Sequence, residues 1–257
     1  MLPFFMILIA VYIFILGSVI GSFANMLAYR VHFRKPLNGR SFCDFTGQPL
    51  DARDLLPVLS FVVYRGRCRV CRQKLPLLYP VLELIYGFST LIVAYLCFRS
   101  GLGLLDGVYY VVGFWMLLFF GVYDLLYWKL PKNILLISLI IVIVLSNLQI
   151  AILPSSYQLI ISRLTAAVIL ATFSWVLMKI SGGAGMEKND LLLLALLGML
   201  TGLEWLLLTV LITLVSASVV GAVVSLRKRK LKGVSIQLAP FLYFGAFSAF
   251  VYYFLTL

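Results

Sequence analysis

The sequence has few charged residues, and acidic residues and histidine are especially scarce. Only 12% of its 257 residues are charged and 63% are hydrophobic, whereas a soluble domain is typically about 25% charged and about 45–50% apolar. This composition excludes an ordinary soluble globular protein. Four cysteines in a chain of this length are too few for a disulfide scaffold. There is one histidine, His32, at the expected membrane edge.

What the sequence does contain is a series of apolar runs, each near the roughly 20 residues that cross a bilayer as a helix. They predict an all-α polytopic membrane protein with about eight transmembrane helices and a small cysteine-containing insert after the first helix. We expect three segments: a first transmembrane helix at 1–29, the insert at 30–76 and a transmembrane core at 77–257. The predicted spans are 3–29, 77–98, 106–127, 133–153, 158–180, 190–203, 205–226 and 234–256.

The distribution of basic residues predicts the orientation of the chain. Ten of the 21 Lys and Arg residues fall between Arg30 and Lys74, and short loops rich in Lys and Arg stay in the cytoplasm. We therefore expect an external N-terminus and a cytoplasmic insert. The net charge of +12 favours anionic lipid headgroups over nucleic acid as the partner, because the basic residues lack the interleaved aromatic residues of a stacking surface.

Three of the nine acidic residues lie at or within predicted spans: Glu83, Asp124 and Asp190. A carboxylate there is costly and is a functional candidate by default. Asp124 ends the third span and Asp190 opens the sixth, so both lie at the cytoplasmic face. Two adjacent carboxylates share a proton, and such a pair can activate water against a peptide carbonyl. The alternative is that each aspartate caps a helix end or pairs with a neighbouring lysine.

Glu83 has a different expected role. It follows Tyr79 and Pro80, about one turn into the second span. As a buried acid it can pair with an arginine such as Arg30, which ends the first span. We interpret both residues as structural supports that fix how the insert leaves the membrane.

The cysteines of the insert predict a metal site. Cys68 and Cys71 form a C-x-x-C, Cys43 lies upstream, and Thr46 stands where a second upstream cysteine would complete the set. Cytoplasmic thiols stay reduced, so a structural zinc site is favoured over a disulfide. A remnant of such a site without metal and a redox-active C-x-x-C remain alternatives. The candidates for the fourth ligand are Asp44, His32 and a water molecule.

Several motifs point to one family. They are 21–25 (Gly-Ser-Phe-Ala-Asn, ending at Asn25) with Arg30, the cysteine segment 65–71, the Tyr-Pro-x-x-Glu segment 79–83, Asp124 followed by Leu130-Pro131, Asp190 after the glycine-rich 182–185, and Pro240 with Gly245. Together they resemble the type IV prepilin peptidases, membrane aspartyl proteases that remove the leader from pilin and pseudopilin precursors. The resemblance implies Asp124 and Asp190 as catalytic residues and a bacterial inner membrane as the location. Supporting roles fall to Asn25, Arg30, Glu83, Pro131 and Asn189.

The sequence departs from the family pattern in three places. The family's Gly-x-Gly-Asp is Glu187-Lys188-Asn189-Asp190 here. Asparagine tolerates the left-handed conformation that glycine supplies, so we expect Asn189 to keep the turn before Asp190. The lysine that the family carries two residues after the aspartate is Leu192, and Thr46 replaces a cysteine.

The resemblance also implies a substrate and a second activity. The substrate is a precursor whose short basic leader lies in the cytoplasm ahead of a hydrophobic helix. Many members also methylate the new N-terminus with S-adenosylmethionine, although this sequence has no glycine-rich cofactor loop that would indicate that activity by itself. Two alternatives stay open: a non-catalytic relative that binds pilin-like helices, and a proton-coupled transporter.

Overall fold

A computed structural model describes residues 2–43, 45–152, 157–180, 187–228 and 237–256. The described residues form α-helices with two isolated β-bridges and one short 3-10 helix, Ala52–Leu55. The helices are α1 (Leu2–His32), α2 (Leu59–Val63), α3 (Leu78–Arg99), α4 (Leu104–Tyr127), α5 (Lys132–Ile152), α6 (Tyr157–Ile180), α7 (Lys188–Thr201), α8 (Leu206–Lys228) and α9 (Ala239–Thr256).

The all-α membrane class is confirmed. Seven helices among the described residues are long and apolar enough to cross a membrane, namely α1, α3, α4, α5, α6, α8 and α9. The predicted sixth span, 190–203, corresponds to α7, which has 14 residues. Such a helix is about 21 Å long, less than the roughly 30 Å of a hydrocarbon core. The number of spans that qualify by length is therefore seven, one fewer than the sequence predicts.

The chain divides into two compact units, Met1–Tyr95 and Leu96–Leu257. In the first unit, α1 and α3 approach each other through glycines spaced four residues apart on α1. A Cβ atom on Gly17 would overlap Oγ1 of Thr90, and one on Gly21 would lie 2.9 Å from Cβ of Tyr86. Small residues at this spacing let membrane helices pack backbone to backbone.

In the second unit, the core helices pack around aromatic rings and one close backbone contact. Phe250 of α9 lies 5.1 Å from Phe114 of α4 and 5.6 Å from Trp205, measured between ring centroids. α7 meets α6 at Gly198, where a Cβ atom would come within 2.5 Å of the Ala167 backbone. Any side chain at position 198 would push these two helices apart.

The same unit buries a charged residue, Arg163 of α6, which is 3% exposed. Its guanidinium donates hydrogen bonds to Ser146 and Gln149 and lies 3.9 Å from the ring centroid of Tyr109. Gln149 in turn donates to Asp106 at 2.8 Å. A buried cation of this kind is stable only when its donors are satisfied, and this polar network supplies the acceptors.

Candidate active site and candidate metal centre

Asp124 lies in the last turn of α4 and is held by the beginning of α9. The helix ends because Trp128 adopts a left-handed conformation (φ 56°), and its N–H donates to the Asp124 carbonyl oxygen at 2.9 Å. Oδ2 of Asp124 accepts a hydrogen bond from the backbone N–H of Ala239 at 3.3 Å. Ala239 is the first residue of α9, so its N–H group, which the helix itself leaves free, meets the carboxylate.

Asp190 is the third residue of α7 and lies at the N-terminal end of that helix. Its Oδ2 accepts a hydrogen bond from the backbone N–H of Glu187 at 2.7 Å. This bond satisfies one of the donors that a helix start leaves free. Asp190 therefore acts as a helix cap, as the alternative interpretation of the sequence expected, and remains half-buried.

The fold brings Asp124 and Asp190 into electrostatic contact across 66 positions of sequence. The charge of Asp124 acts on the Asp190 carboxyl group, and Glu187 acts on both. Among the residues that the structure describes, no Lys or Arg lies within ion-pair distance of either aspartate. Neighbouring carboxylates repel one another when all are ionised, and a pair that shares one proton avoids that repulsion.

Asn189 connects the two segments that carry the aspartates. Its side-chain Nδ2 donates to the backbone oxygen of Leu130 at 2.9 Å, in the connection between Asp124 and α5 that also contains Pro131. The left-handed turn expected at Asn189 is absent, because Asn189 already lies in the first turn of α7 with a helical backbone. The glycine-rich residues 182–185 lie outside the described residues.

One contributor to this arrangement had no signal in the sequence. Gln237 Nε2 donates to the carbonyl oxygens of Asp124 at 2.9 Å and Leu125 at 3.2 Å. Both carbonyls belong to the last turn of α4, and the Asp124 oxygen accepts this bond in addition to the one from the Trp128 N–H. In the sequence, a neutral glutamine in a polar connection looks like any solvated loop residue. Gln237 is identified only by the structure, which brings it into contact with Asp124 although the two residues are 113 positions apart.

Glu83 and Arg30 do not form the pair that the sequence suggested, and each has other partners. Glu83 Oε2 accepts the backbone N–H of Val58 at 2.7 Å, and the Ser22 side chain also hydrogen-bonds to Glu83. Arg30, 4% exposed, instead donates to backbone carbonyls of the insert between Pro36 and Arg40. Both residues support the insert, but through backbone groups rather than through each other. Asn25 lies half-buried in α1.

The three cysteines of the insert form one cluster. Their sulfur atoms all lie within 4.8 Å of one another, with Cys43 Sγ 3.5 Å from Cys71 Sγ and 3.7 Å from Cys68 Sγ. Thiolates bound to tetrahedral zinc at about 2.3 Å would be about 3.8 Å apart. The cluster therefore fits a metal ion of that size. Asp44, a candidate fourth ligand, lies outside the described residues, and His32 is not part of the group.

The cysteines lie on two hairpin turns of the same form. The N–H of Cys43 donates to the oxygen of Gln48, and the N–H of Cys68 donates to the oxygen of Gln73, both at 2.8 Å. The bridges 42–49 and 67–74 close the two turns. Thr46 thus occupies in the first turn the place that Cys71 occupies in the second.

Thr46 acts directly on the cluster. Its hydroxyl donates a hydrogen bond to Cys43, and together with backbone N–H groups it lowers the pKa of Cys43 to about 7 against the opposing effect of burial. Nearby, Arg69 binds Asp51 at 2.6 Å and Asp54 at 2.7 Å. The hydrogen bond from Arg69 is the main reason that the pKa of Asp54 is lowered. This ion pair ties the segment between the hairpins to the second hairpin.

Comparisons with known proteins agree with this architecture. The family model of the bacterial peptidase A24 N-terminal domain matches residues 15–97. The chain is 27% identical over 252 residues to the prepilin leader peptidase/N-methyltransferase of Pseudomonas putida, covering 89% of this chain and 85% of that protein. It is 26% identical over 241 residues to the protein of the same name from Bacillus subtilis, covering 93% of each. No solved structure matches.

The matched segment 15–97 contains α1, the cysteine hairpins and α3 up to residue 97. The molecule is thus a multi-pass bacterial membrane protein that carries a peptidase A24 N-terminal domain. Over about nine tenths of its length, the chain is similar to proteins named prepilin leader peptidase/N-methyltransferase.

Proposed function

We propose that this protein is an aspartyl endopeptidase of the membrane edge that cleaves the leader from type IV prepilin or pseudopilin precursors. The observation that carries the proposal is that Asp124 and Asp190 lie close enough for the charge of Asp124 to act on Asp190, with no described Lys or Arg within ion-pair distance of either. Similarity to proteins named prepilin leader peptidase/N-methyltransferase supports the substrate class.

The chemistry follows from two carboxyl groups that share one proton. The ionised aspartate removes a proton from a water molecule, whose oxygen attacks the scissile carbonyl carbon. The protonated partner donates its proton toward the carbonyl oxygen, and a proton returns to the amine as the C–N bond breaks. Ala239 N–H and Glu187 N–H orient the two carboxylates for this exchange. The peptide-cleaving step as proposed uses only these side chains and water.

The substrate would approach the carboxylates from the bilayer. A precursor with a basic leader in the cytoplasm and a hydrophobic helix in the membrane presents its cleavage point at this edge. We propose that the insert and the two aspartates face the cytoplasm, with the N-terminus outside, as the basic residues indicate. The same residues would bind anionic lipids, because ten Lys and Arg residues lie between positions 30 and 74.

Substitution of each aspartate tests the proposal. Asp124→Asn and Asp190→Asn remove one titrating group each with almost no change in shape, so we expect processing of a co-expressed prepilin to be lost while membrane insertion is retained. Glu204→Gln is the matched control, since it neutralises an exposed acid of the same unit whose hydrogen bond from Ser162 the amide can still accept. Full processing by either aspartate variant would remove the proposed mechanism.

A second proposal concerns the metal centre. Cys43, Cys68 and Cys71 would hold a structural zinc ion, which would stabilise the two hairpins. We expect about one zinc per chain, lost in Cys68→Ser and kept in the control Cys97→Ser, a buried cysteine outside the cluster. Less than about half a zinc per chain after purification without chelators would exclude a stable zinc site.

Methylation of the new N-terminus is a separate proposal supported by the names of the relatives alone. The direct measurement is the mass of the processed substrate after incubation with membranes, with and without S-adenosylmethionine. A gain of one methyl group that depends on the cofactor establishes the activity; an unchanged mass rejects it.

One observation favours a second candidate function. Glu187 adds a third negative charge beside the aspartates, where the family pattern has glycine, and this raises the cost of ionising the pair. A non-catalytic relative would bind pilin-like helices without cutting them. The two functions are distinguished by incubating wild-type protein with a prepilin over a full time course. Capture of the prepilin with its leader intact supports the non-catalytic function, and loss of the leader supports the peptidase.

A further inference from the structure

The short helix α2 of the insert exposes an apolar face that no described part of its unit covers. Leu59, Val62 and Val63 are 61%, 65% and 68% exposed. Their spacing of three and four residues places them on one side of the helix. Phe61 lies on another side and contacts Gly66 in the second hairpin, where a Cβ atom would be 3.0 Å from its ring. The helix is therefore attached by one side and bare on the other.

The start of α2 is fixed to a membrane-spanning helix. Val58, the residue before α2, donates its N–H to Glu83 Oε2 at 2.7 Å. Val58 has φ 61° and ψ −48°, and Leu59 N–H donates to Pro57 O at 2.6 Å, which together form a γ-turn. This conformation is rare for a β-branched residue and persists only where surrounding contacts maintain it. Glu83 provides such a contact.

The position of Glu83 along α3 sets the depth of α2. Glu83 lies five residues after Leu78, the first residue of α3, which is about 7.5 Å along the helix axis. α3 has 22 residues and is about 33 Å long, so its ends extend little beyond a hydrocarbon core of about 30 Å. The interfacial layer on each side is about 5–8 Å thick. Val58 consequently lies near the boundary between headgroups and hydrocarbon.

The charges around α2 match a lipid surface. α2 itself carries no charged residue, while the segment 30–74 carries ten Lys and Arg residues against three Asp. Two of those acids, Asp51 and Asp54, are paired with Arg69. An apolar helix face within a basic segment is the arrangement with which proteins bind the surface of an anionic membrane.

We propose that α2 is an interfacial helix whose exposed face, Leu59, Val62 and Val63, inserts among the lipids on the side of the membrane that carries the insert. Glu83 is the positioning residue that holds it there through Val58. The partner is the bilayer itself. The proposal concerns how the insert is held at the membrane and does not depend on peptide cleavage.

Photo-crosslinking in vesicles tests the proposal. A diazirine amino acid replaces Val62 in one protein and Gln48, an exposed polar residue in the turn of the first hairpin, in the control. Both proteins are reconstituted with phosphatidylethanolamine and phosphatidylglycerol and analysed by mass spectrometry. We expect lipid adducts at position 62 to exceed those at position 48 at least about fivefold. Equal yields would overturn the proposal, as would crosslinking of position 62 to an added prepilin in place of lipid.

The role of Glu83 is tested in the same assay. Glu83→Gln keeps an oxygen that accepts the Val58 N–H, so adducts at position 62 should stay at the wild-type level. Glu83→Ala removes the acceptor, and adducts should fall toward the level of position 48. Unchanged adducts in Glu83→Ala would refute the positioning role. The comparison of positions 62 and 48 in the otherwise unaltered chain stands even where Glu83→Ala fails to insert.

Discussion

Gln237 offers a sharp test of how the candidate active site is held. Its side-chain amide makes two hydrogen bonds to the last turn of α4, at 2.9 Å to Asp124 O and 3.2 Å to Leu125 O. Each such bond contributes about 0.5–1.5 kcal/mol to stability. Gln237→Met preserves length and volume but removes both donors, so we expect a loss of about 1–3 kcal/mol in the free energy of unfolding.

The effect on processing should exceed what stability alone explains. Without Gln237, the end of α4 is free to shift relative to α9, and the Ala239 N–H no longer meets the Asp124 carboxylate reliably. We expect kcat for prepilin cleavage to fall at least about tenfold, because an ångström of misplacement can cost two orders of magnitude, while KM changes little.

The measurement is initial-rate cleavage of a purified prepilin in detergent, with thermal unfolding followed in parallel. Gln149 of α5 provides the comparison, since its side chain also makes two hydrogen bonds, but to Arg163 and Asp106. Gln149→Met should lower stability and leave kcat per folded molecule unchanged. Wild-type kcat in Gln237→Met, or an equal loss of kcat in both variants, would refute the reasoning.

Two further predictions concern packing and pH. Gly198→Ala should lower the free energy of unfolding by about 1–3 kcal/mol through overpacking against α6. The control is Gly107→Ala, whose Cβ would meet nothing closer than 3.9 Å and which should be neutral or stabilising. Equal shifts of the thermal unfolding temperature in the two variants would contradict this. Because the pKa of Asp54 is lowered by Arg69, the ion pair stabilises the insert above the unfolded pKa of about 3.9 and this contribution is lost as pH falls through the lower folded pKa. Protection of the insert against hydrogen exchange, corrected for the intrinsic exchange rate at each pH, should therefore fall on acidification in the wild type and show a smaller pH dependence in Arg69→Met.

The membrane helices were predictable because a long apolar segment is stable within a bilayer as an α-helix, in which its backbone hydrogen bonds are satisfied. The seven qualifying spans begin and end within a few residues of the predicted ones, apart from α9, which starts at Ala239 where position 234 was expected. α7 was assigned as a span because its residues are apolar, although most are buried against protein. Hydropathy does not distinguish burial in lipid from burial in protein.

Site residues were predictable to the extent that charge and thiol chemistry restrict their surroundings. The expectation that Cys43, Cys68 and Cys71 meet is confirmed by their sulfur distances. The catalytic role of Asp124 and Asp190 stays a prediction. A side-chain contact with a backbone group does not depend on the identity of the residue that supplies the backbone. The predicted pairing of Arg30 with Glu83 was therefore wrong, because both residues bind backbone groups of the insert.

Arg30 has a consequence for how the insert behaves as acidity changes. Its guanidinium donates to four main-chain oxygens, those of Pro36, Leu37, Gly39 and Arg40, at 2.6–3.4 Å. None of these acceptors takes up a proton in water near neutrality, because a main-chain carbonyl oxygen is not an ionisable group. The junction between α1 and the insert should thus keep its geometry from mildly acidic to mildly alkaline media, in contrast to the carboxylate-dependent contacts a few residues further along.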